Sequence, residues 1–294
     1  FDAGVLTPTQ LLAALPQLVR SQTRQTVVAG TNDVRWIYEH LLNDSQRAAF
    51  RASVAKVYRP RLERLGLSSK ANDSDDARLL RTALTSFLAD ALEDKAIRDQ
   101  MVKAGRDVLG LDSGGKLNAD AVSTDLRATA LAMAVEDGGK AAFDAAERHF
   151  RNSNDPILRM ELLGAMASSN DAALAKRTRE LISEPNLLRR NEIFAVLGGQ
   201  SNEPALRKDL RAWIDANFKA LDAKITPSTS GLVSLYANGM CNANDVNEIE
   251  SKLAERMKSI EGGPLAVKQT EERIKLCAAA KELHAKHPLE FEKS

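Results

Sequence analysis

The chain has 294 residues, of which 44% are hydrophobic, so it holds enough apolar side chains for a continuous core. Aromatic residues make up only 4%, while Ala and Leu are abundant, which is typical of closely packed helices and excludes most sandwiches and barrels. With 41 basic and 40 acidic residues, the bulk charge indicates neither a nucleic-acid partner nor an anionic membrane surface. No apolar run approaches the roughly 20 residues that cross a bilayer, so we expect a soluble protein without a membrane span.

The N-terminal stretch predicts a set of antiparallel helices. A Thr-Pro pair at residues 7–8 is a helix-start signal, and the helix that it opens is expected to end or kink at Pro16. Asn32-Asp33 is expected to cap a second helix, 34–42, and Asp44 opens a longer third helix.

The following stretch predicts helical pairs separated by two polar or glycine-rich loops. The predicted loops are 68–76 and 110–119, and the predicted helices are 77–92, 97–109, one that begins at 125, and its partner 143–150.

Residues 155–199 contain two copies of one pattern. A break or cap residue is followed by Leu-Arg, at 158–159 and again at 188–189, and then by an apolar helical stripe that ends in small residues. Leu-Arg also occurs within the helix predicted from 77 and at the start of the helix at 125, at unequal intervals. This pattern predicts a degenerate array of the HEAT or armadillo kind, an α-solenoid of helical hairpins whose concave face binds an extended ligand.

The C-terminal third predicts more helices and no sheet, because no segment alternates apolar and polar residues. The predicted helices are 203–221, 228–240, 246–257 with a cap at Asn244-Asp245, and 265–283. Glycine doublets at 114–115, 138–139, 198–199 and 262–263 are expected at helix breaks. We expect one helical-repeat domain over 1–294, with a possible sub-boundary near 110–120, and since the chain begins with Phe1 we expect it to be a fragment of a longer polypeptide.

The sequence offers few residues for catalysis. The His-Glu-x-x-His motif of helical zinc proteases is absent, as are a phosphate-binding glycine loop and a Gly-x-Ser-x-Gly elbow. His284 and His287 form a weak possible metal pair, but a frayed surface end is the favoured interpretation. Cys241 and Cys277 lie far apart in the chain, and two buried thiols are favoured over a bridge.

The stretches LRRNE at 188–192 and RAWIDANF at 211–218, together with six further segments in order along the chain, resemble the C-terminal helical domain of zinc aminopeptidases of the aminopeptidase N and endoplasmic-reticulum aminopeptidase type. Residues 188–192 are similar to that family's V-R-x-Q-D, with Asn191 and Glu192 in place of Gln and Asp. Residues 211–218 resemble its A-W-x-F-x-x-x-N-W, with Phe218 in place of the final Trp. The other similar segments are 1–7, 34–42, 125–127, 155–166, 244–257 and 266–280.

The resemblance implies a curved bowl of helical hairpins that caps a thermolysin-like catalytic domain, encloses the substrate chamber and contacts the peptide. It places the zinc ligands and the general base upstream in the same polypeptide, so this chain is expected to hold no cofactor of its own. The groove-side candidates are Arg189, Arg190, Asn191, Glu192, Gln200 and Tyr236. For residues 189–192, ion pairs between repeats on a solvated ridge are the favoured alternative.

Two other functions stay open at this point. One is a stand-alone HEAT-like scaffold that binds a partner protein through its concave face. The other is an enzyme that uses His284 and His287. The sequence leaves a cytoplasmic and a periplasmic location both open, and it does not indicate a substrate preference or an oligomeric state.

Overall fold

A computed structural model of the chain describes residues 6–70, 72–287, 289 and 291. Throughout these residues the regular elements are helical and no strand forms, which confirms the predicted all-α fold class. The helices are α1 (Pro8–Val19), α2 (Arg24–His40), α3 (Asp44–Leu65), α4 (Asp75–Ser86), α5 (Lys95–Leu109), α6 (Thr124–Asn152), α7 (Pro156–Ala167), α8 (Ala172–Ser183), α9 (Arg190–Asn202), α10 (Arg207–Ile225), α11 (Leu232–Tyr236), α12 (Asp245–Ile249), α13 (Glu255–Met257) and α14 (Gly263–His284). Short π-helical turns at Phe87–Ala91 and Glu250–Ala254 and a 3₁₀ turn at Thr229–Gly231 complete the set.

Local capping explains where several helices begin, as the sequence predicts. The Thr7 hydroxyl accepts the Gln10 N–H at 3.2 Å, and the Gln10 side chain accepts the Thr7 N–H at 2.9 Å. Asn43 and Gln46 form the same reciprocal pair before α3. Asp155 caps α7 by accepting the Ile157 N–H at 2.8 Å. Each cap satisfies amide groups that have no partner inside the helix.

Of the resembling segment 1–7, residues 1–5 lie outside the described part of the chain.

The chain divides into two compact units. The first comprises Phe1–Ala134 and Ala280–Ser294, and the second comprises Val135–Ala279. In the first unit α1 packs on α2 and α3, and α4 packs on the same two helices. Its core includes Phe50, Tyr58 and Phe87, with the Tyr58 and Phe87 rings in edge contact at 5.1 Å between centroids.

The second unit is built around α7, α9 and α10. α9 packs against α7, α8 and α10, and the buried side chains between them include Leu162, Val196 and Ile214. The predicted HEAT-like repeat, the curved bowl and the single-domain boundaries, with the possible sub-boundary near 110–120, stay predictions.

The predicted start of the second helix is wrong, and so is the first of the two alternatives predicted for Pro16, an end of the helix; a kink there stays a prediction. Asn32-Asp33 does not cap a helix but lies inside α2, because Val27, Gly30, Val34 and Ile37 form one continuous buried stripe across it. Burial of this stripe outweighs the preference of Asn and Asp for a cap. Pro16 does not end α1 either, since the helix continues to the buried Val19.

Glycine doublets mark some predicted breaks and not others. Gly139 has a φ of 52° and interrupts the helical backbone of α6, as predicted. The expected break at Gly198-Gly199 is wrong, because both residues lie inside α9. A Cβ on Gly199 would lie 2.6 Å from the Ala167 Cβ, so this glycine serves the close approach of α9 to α7.

The expectation of two free thiols is also wrong. Cys241 and Cys277, both in the second unit, form a disulfide with their Cα atoms 5.1 Å apart. The two residues are 36 positions apart, and only the packing of the second unit brings them together.

Candidate functional site

The six predicted groove-side residues fall into an exposed and a buried group. Arg189, Arg190 and Asn191 are exposed where the chain enters α9. Glu192 and Gln200 of α9 are 0% exposed, and Tyr236 at the end of α11 is 1% exposed. The exposed side chains can reach a ligand, whereas the buried ones act on other parts of the protein.

A buried ion pair holds the first turn of α9 against α7. Arg159 Nε lies 2.7 Å from Glu192 Oε1, and Arg159 Nη2 lies 3.1 Å from Glu192 Oε2, a two-point contact that fixes both side chains. The Arg189 N–H donates to Glu192 Oε2 at 2.8 Å. The ion pair therefore joins α7 to α9, and it is buried, whereas the alternative interpretation of residues 189–192 expects ion pairs on a solvated ridge.

Arg159 also forms hydrogen bonds to the backbone at the end of α6 and in the loop before α9. Its guanidinium donates to the carbonyls of Phe150 at 3.2 Å and Leu187 at 3.0 Å. The same group lies over the Phe150 ring, 4.1 Å from its centroid. The loop that leads to Arg189 is thus held at Leu187 by hydrogen bonding, which positions the three exposed side chains.

Two opposing effects act on the Glu192 carboxyl. Burial raises its pKa, but the hydrogen bonds from Arg159 and from the Arg189 N–H, together with the nearby positive charges, lower it. The net direction is downward, so Glu192 is an ionised partner of Arg159 at neutral pH.

Gln200 connects α9 to α8. Its side-chain N–H donates to the Ala175 carbonyl at 2.8 Å, and its Oε1 accepts from Arg179 Nη1 at 2.7 Å. Burial lowers the pKa of Arg179, while the nearby carboxylates of Asp209 and Glu180 oppose this effect. Both polar ends of Gln200 are thus used inside the protein.

Tyr236 bonds to α10 and α12 and not to the first turn of α9. Its hydroxyl lies 3.1 Å from Asp215 Oδ2 and 3.2 Å from Glu248 Oε1. Arg256 Nη1 donates to the other Asp215 oxygen at 2.9 Å. Burial, reinforced by the two carboxylates, raises the pKa of Tyr236, so the phenol stays protonated and can donate.

Sequence reasoning singled out Arg159 as part of the Leu-Arg pattern but missed its function at this site. The available signal was the repetition of the pattern at 158–159 and 188–189. The pattern does not show that Arg159 is buried or that its partner is Glu192, because the two residues are 33 positions apart.

The family model described as ERAP1-like C-terminal domain matches residues 1–276. The chain belongs to this family. The match confirms the resemblance to the C-terminal domain of aminopeptidases of this type. No curated protein matches the chain.

This ERAP1-like domain does not fit a zinc centre at its predicted histidine pair. His284 is 2% exposed and its ring contacts Trp36 in an edge arrangement, at 5.7 Å between centroids, whereas His287 is exposed. The expectation of a frayed surface end is thus wrong for His284. Both cysteine sulfurs are used in the disulfide, so neither is a thiolate ligand.

No helix in the described part of this ERAP1-like domain is long and apolar enough to cross a membrane.

Proposed function

We propose that this chain is the C-terminal helical domain of a zinc aminopeptidase, in which it encloses the substrate chamber and contacts the peptide beyond its N-terminal residues. The observation that carries this proposal is the family match over residues 1–276. Catalysis, the zinc ion and the general base belong to an upstream domain of the same polypeptide. The domain itself supplies surface, shape and polar contacts.

The entry into α9 is the peptide-contact surface in this proposal. Arg189 and Arg190 are exposed, and Asn191 beside them offers an amide whose Nδ2 lies 3.6 Å from the Met160 sulfur. Two guanidinium groups and an amide suit the carbonyl and carboxylate oxygens of a peptide. Glu192, Gln200 and Tyr236 contribute by holding α9 and its neighbours, because their polar atoms bond within the domain.

The test uses the full-length polypeptide. We expect it to cleave an aminoacyl reporter. We expect the triple variant Arg189→Ala, Arg190→Ala, Asn191→Ala to raise KM for a ten-residue peptide by about tenfold. This factor corresponds to the loss of one charge-assisted contact worth roughly 1.4 kcal/mol. In this proposal an aminoacyl reporter occupies only the upstream catalytic site, so its kcat/KM should stay unchanged. Steady-state kinetics on both substrates measure the difference.

Two controls complete this experiment. The variant Lys219→Ala removes an exposed positive charge on a different helix, α10, and should leave KM for both substrates unchanged. Residues 1–294 alone should cleave no reporter. Reporter cleavage by the isolated domain, or no cleavage by the full-length protein, would contradict the aminopeptidase assignment and favour a stand-alone scaffold.

A further inference from the structure

The Cys241–Cys277 disulfide fastens a segment that has little regular structure of its own. Cys241 lies between α11 and α12 and is 2% exposed, while Cys277 is half-buried within α14. Their Cα separation of 5.1 Å is within the usual range for a disulfide, so the backbone of the folded domain accommodates the bond.

Hydrogen bonds on both sides of Cys241 form only when the segment between α11 and α12 is held in this position. Tyr236, at the start of the segment, bonds to Asp215 and Glu248. At its end, the Asp245 carboxylate accepts the N–H groups of Cys241 at 3.0 Å and Asn242 at 2.9 Å. The disulfide thus anchors the middle of a connection that is also held by the Tyr236 hydroxyl at its start and by the Asp245 carboxylate at its end.

We propose that this bond is a permanent structural crosslink that the protein acquires in an oxidising compartment, and that the domain therefore works outside the reducing cytosol. Structural disulfides persist in such compartments and are rare in the cytosol. The burial of Cys241 also shields its sulfur from attack by reductants once the domain has folded. This inference does not depend on the aminopeptidase activity.

The oxidant is a disulfide-donor protein of that compartment, and the exchange is balanced. One cysteine thiolate attacks the donor's disulfide, which breaks the donor S–S bond and forms a mixed disulfide. The second cysteine thiolate then attacks the mixed disulfide, which forms the Cys241–Cys277 bond and releases the donor as a dithiol. The two thiols of this chain lose two protons and two electrons, and the donor's disulfide is reduced.

The decisive experiment is a thiol assay on the protein taken from the cells that make it. Free thiols are alkylated at lysis, and the protein is digested with trypsin without reduction. We expect the peptides 225–252 and 276–281, which contain Cys241 and Cys277, to be recovered joined by a disulfide. Recovery of both peptides with alkylated cysteines would overturn the proposal, whatever the enzymatic activity of the protein.

A stability measurement tests the structural part of the proposal. Closure of a 36-residue loop restricts the unfolded chain, so we expect the double variant Cys241→Ser, Cys277→Ser to lose on the order of 10 °C in Tm. Reductant should not lower the Tm of this variant further. An unchanged Tm would refute the crosslink as a stabilising element, and the thiol assay shows whether the bond forms in the cell even if the variant does not fold.

Discussion

At the scale of single residues, the Leu-Arg pairs at 80–81, 126–127 and 158–159 each place a buried arginine near the start of a helix. Each donates to a carbonyl in the segment just before its own helix, and the buried guanidinium needs such partners. The bonds are Arg81 Nε to the Gly66 carbonyl at 2.8 Å, Arg127 Nη1 to the Ala119 carbonyl at 3.3 Å, and Arg159 Nη1 to the Ser153 carbonyl at 3.3 Å. At these three positions the arginine fixes a loop to a helix, whereas Arg189 of the pair at 188–189 is exposed.

The ion pair between Arg159 and Glu192 gives the first prediction at this scale. Glu192→Ala leaves the Arg159 charge buried without its carboxylate, so we expect a loss of about 3–5 kcal/mol in the free energy of unfolding. Glu272→Ala, at an exposed position of α14, should change it by less than about 0.5 kcal/mol. Urea denaturation measures both, and equal effects would contradict a structural function for the pair.

Glu192 also gives a prediction for the stability of the domain at acid pH. The pKa of Glu192 is lower in the folded chain than its ordinary value of 4.5. Its stabilising contribution is therefore complete above pH 4.5 and is lost as the pH falls through the folded-state pKa. The stability of Glu192→Ala should fall less steeply than that of the wild type over this acid range.

At the scale of elements, close approach of helices depends on glycines within them. Gly199 of α9 faces Ala167 at the end of α7, and a Cβ at this position would lie 2.6 Å from the Ala167 Cβ. Gly105 of α5 has a comparable function in the first unit, where a Cβ would lie 2.0 Å from the Ala130 carbonyl oxygen of α6. Gly199 and Gly105 thus indicate helix contacts, whereas Gly139 interrupts α6.

Gly199 and its neighbour Gly198 form a matched pair of substitutions. Gly199→Ala forces α9 and α7 apart, so we expect a loss of about 1–3 kcal/mol in the free energy of unfolding. Gly198→Ala adds a Cβ whose nearest neighbour, a Leu235 methyl group, is 3.9 Å away. It should stabilise the helix by about 0.5–1 kcal/mol. Chemical denaturation gives both values, and the same sign for both variants would refute the proposed contact.

At the scale of the whole molecule, each unit buries a tyrosine. Tyr58 belongs to the first unit and Tyr236 to the second, and both are almost fully buried. Burial raises the pKa of both phenols, with a further contribution from Asp33 at Tyr58 and from Asp215 and Glu248 at Tyr236. The two phenols therefore report on the folding of both units.

An alkaline titration tests this burial. Since each pKa lies above the ordinary value of 10.0, each phenol contributes stability that is present below pH 10.0 and is lost as the pH rises toward the folded-state pKa. We expect no phenolate absorbance from these two residues before the helical circular dichroism signal is lost. Tyr58→Phe and Tyr236→Phe should leave the early phenolate signal unchanged. A decrease in that signal would show that the substituted phenol is accessible in the folded chain.

The sequence by itself determined the all-α class, the family resemblance and most helix starts. These depend on local chemistry, such as the caps at Thr7, Asn43 and Asp155, and on apolar periodicity within one helix. It also selected the entry into α9 as the candidate peptide-contact surface, because the V-R-x-Q-D-like stretch is continuous in the chain. That functional assignment is still a prediction.

Only the tertiary structure decided which of the chosen residues are exposed. Glu192 and Gln200 have the side chains of surface residues, yet partners on other helices compensate their burial. Tertiary packing also explains why α2 continues through Asn32-Asp33 and why Cys241 and Cys277 form a disulfide. Each depends on contacts between residues distant in the chain, and the free energy of these contacts overrides the local preferences that a sequence displays.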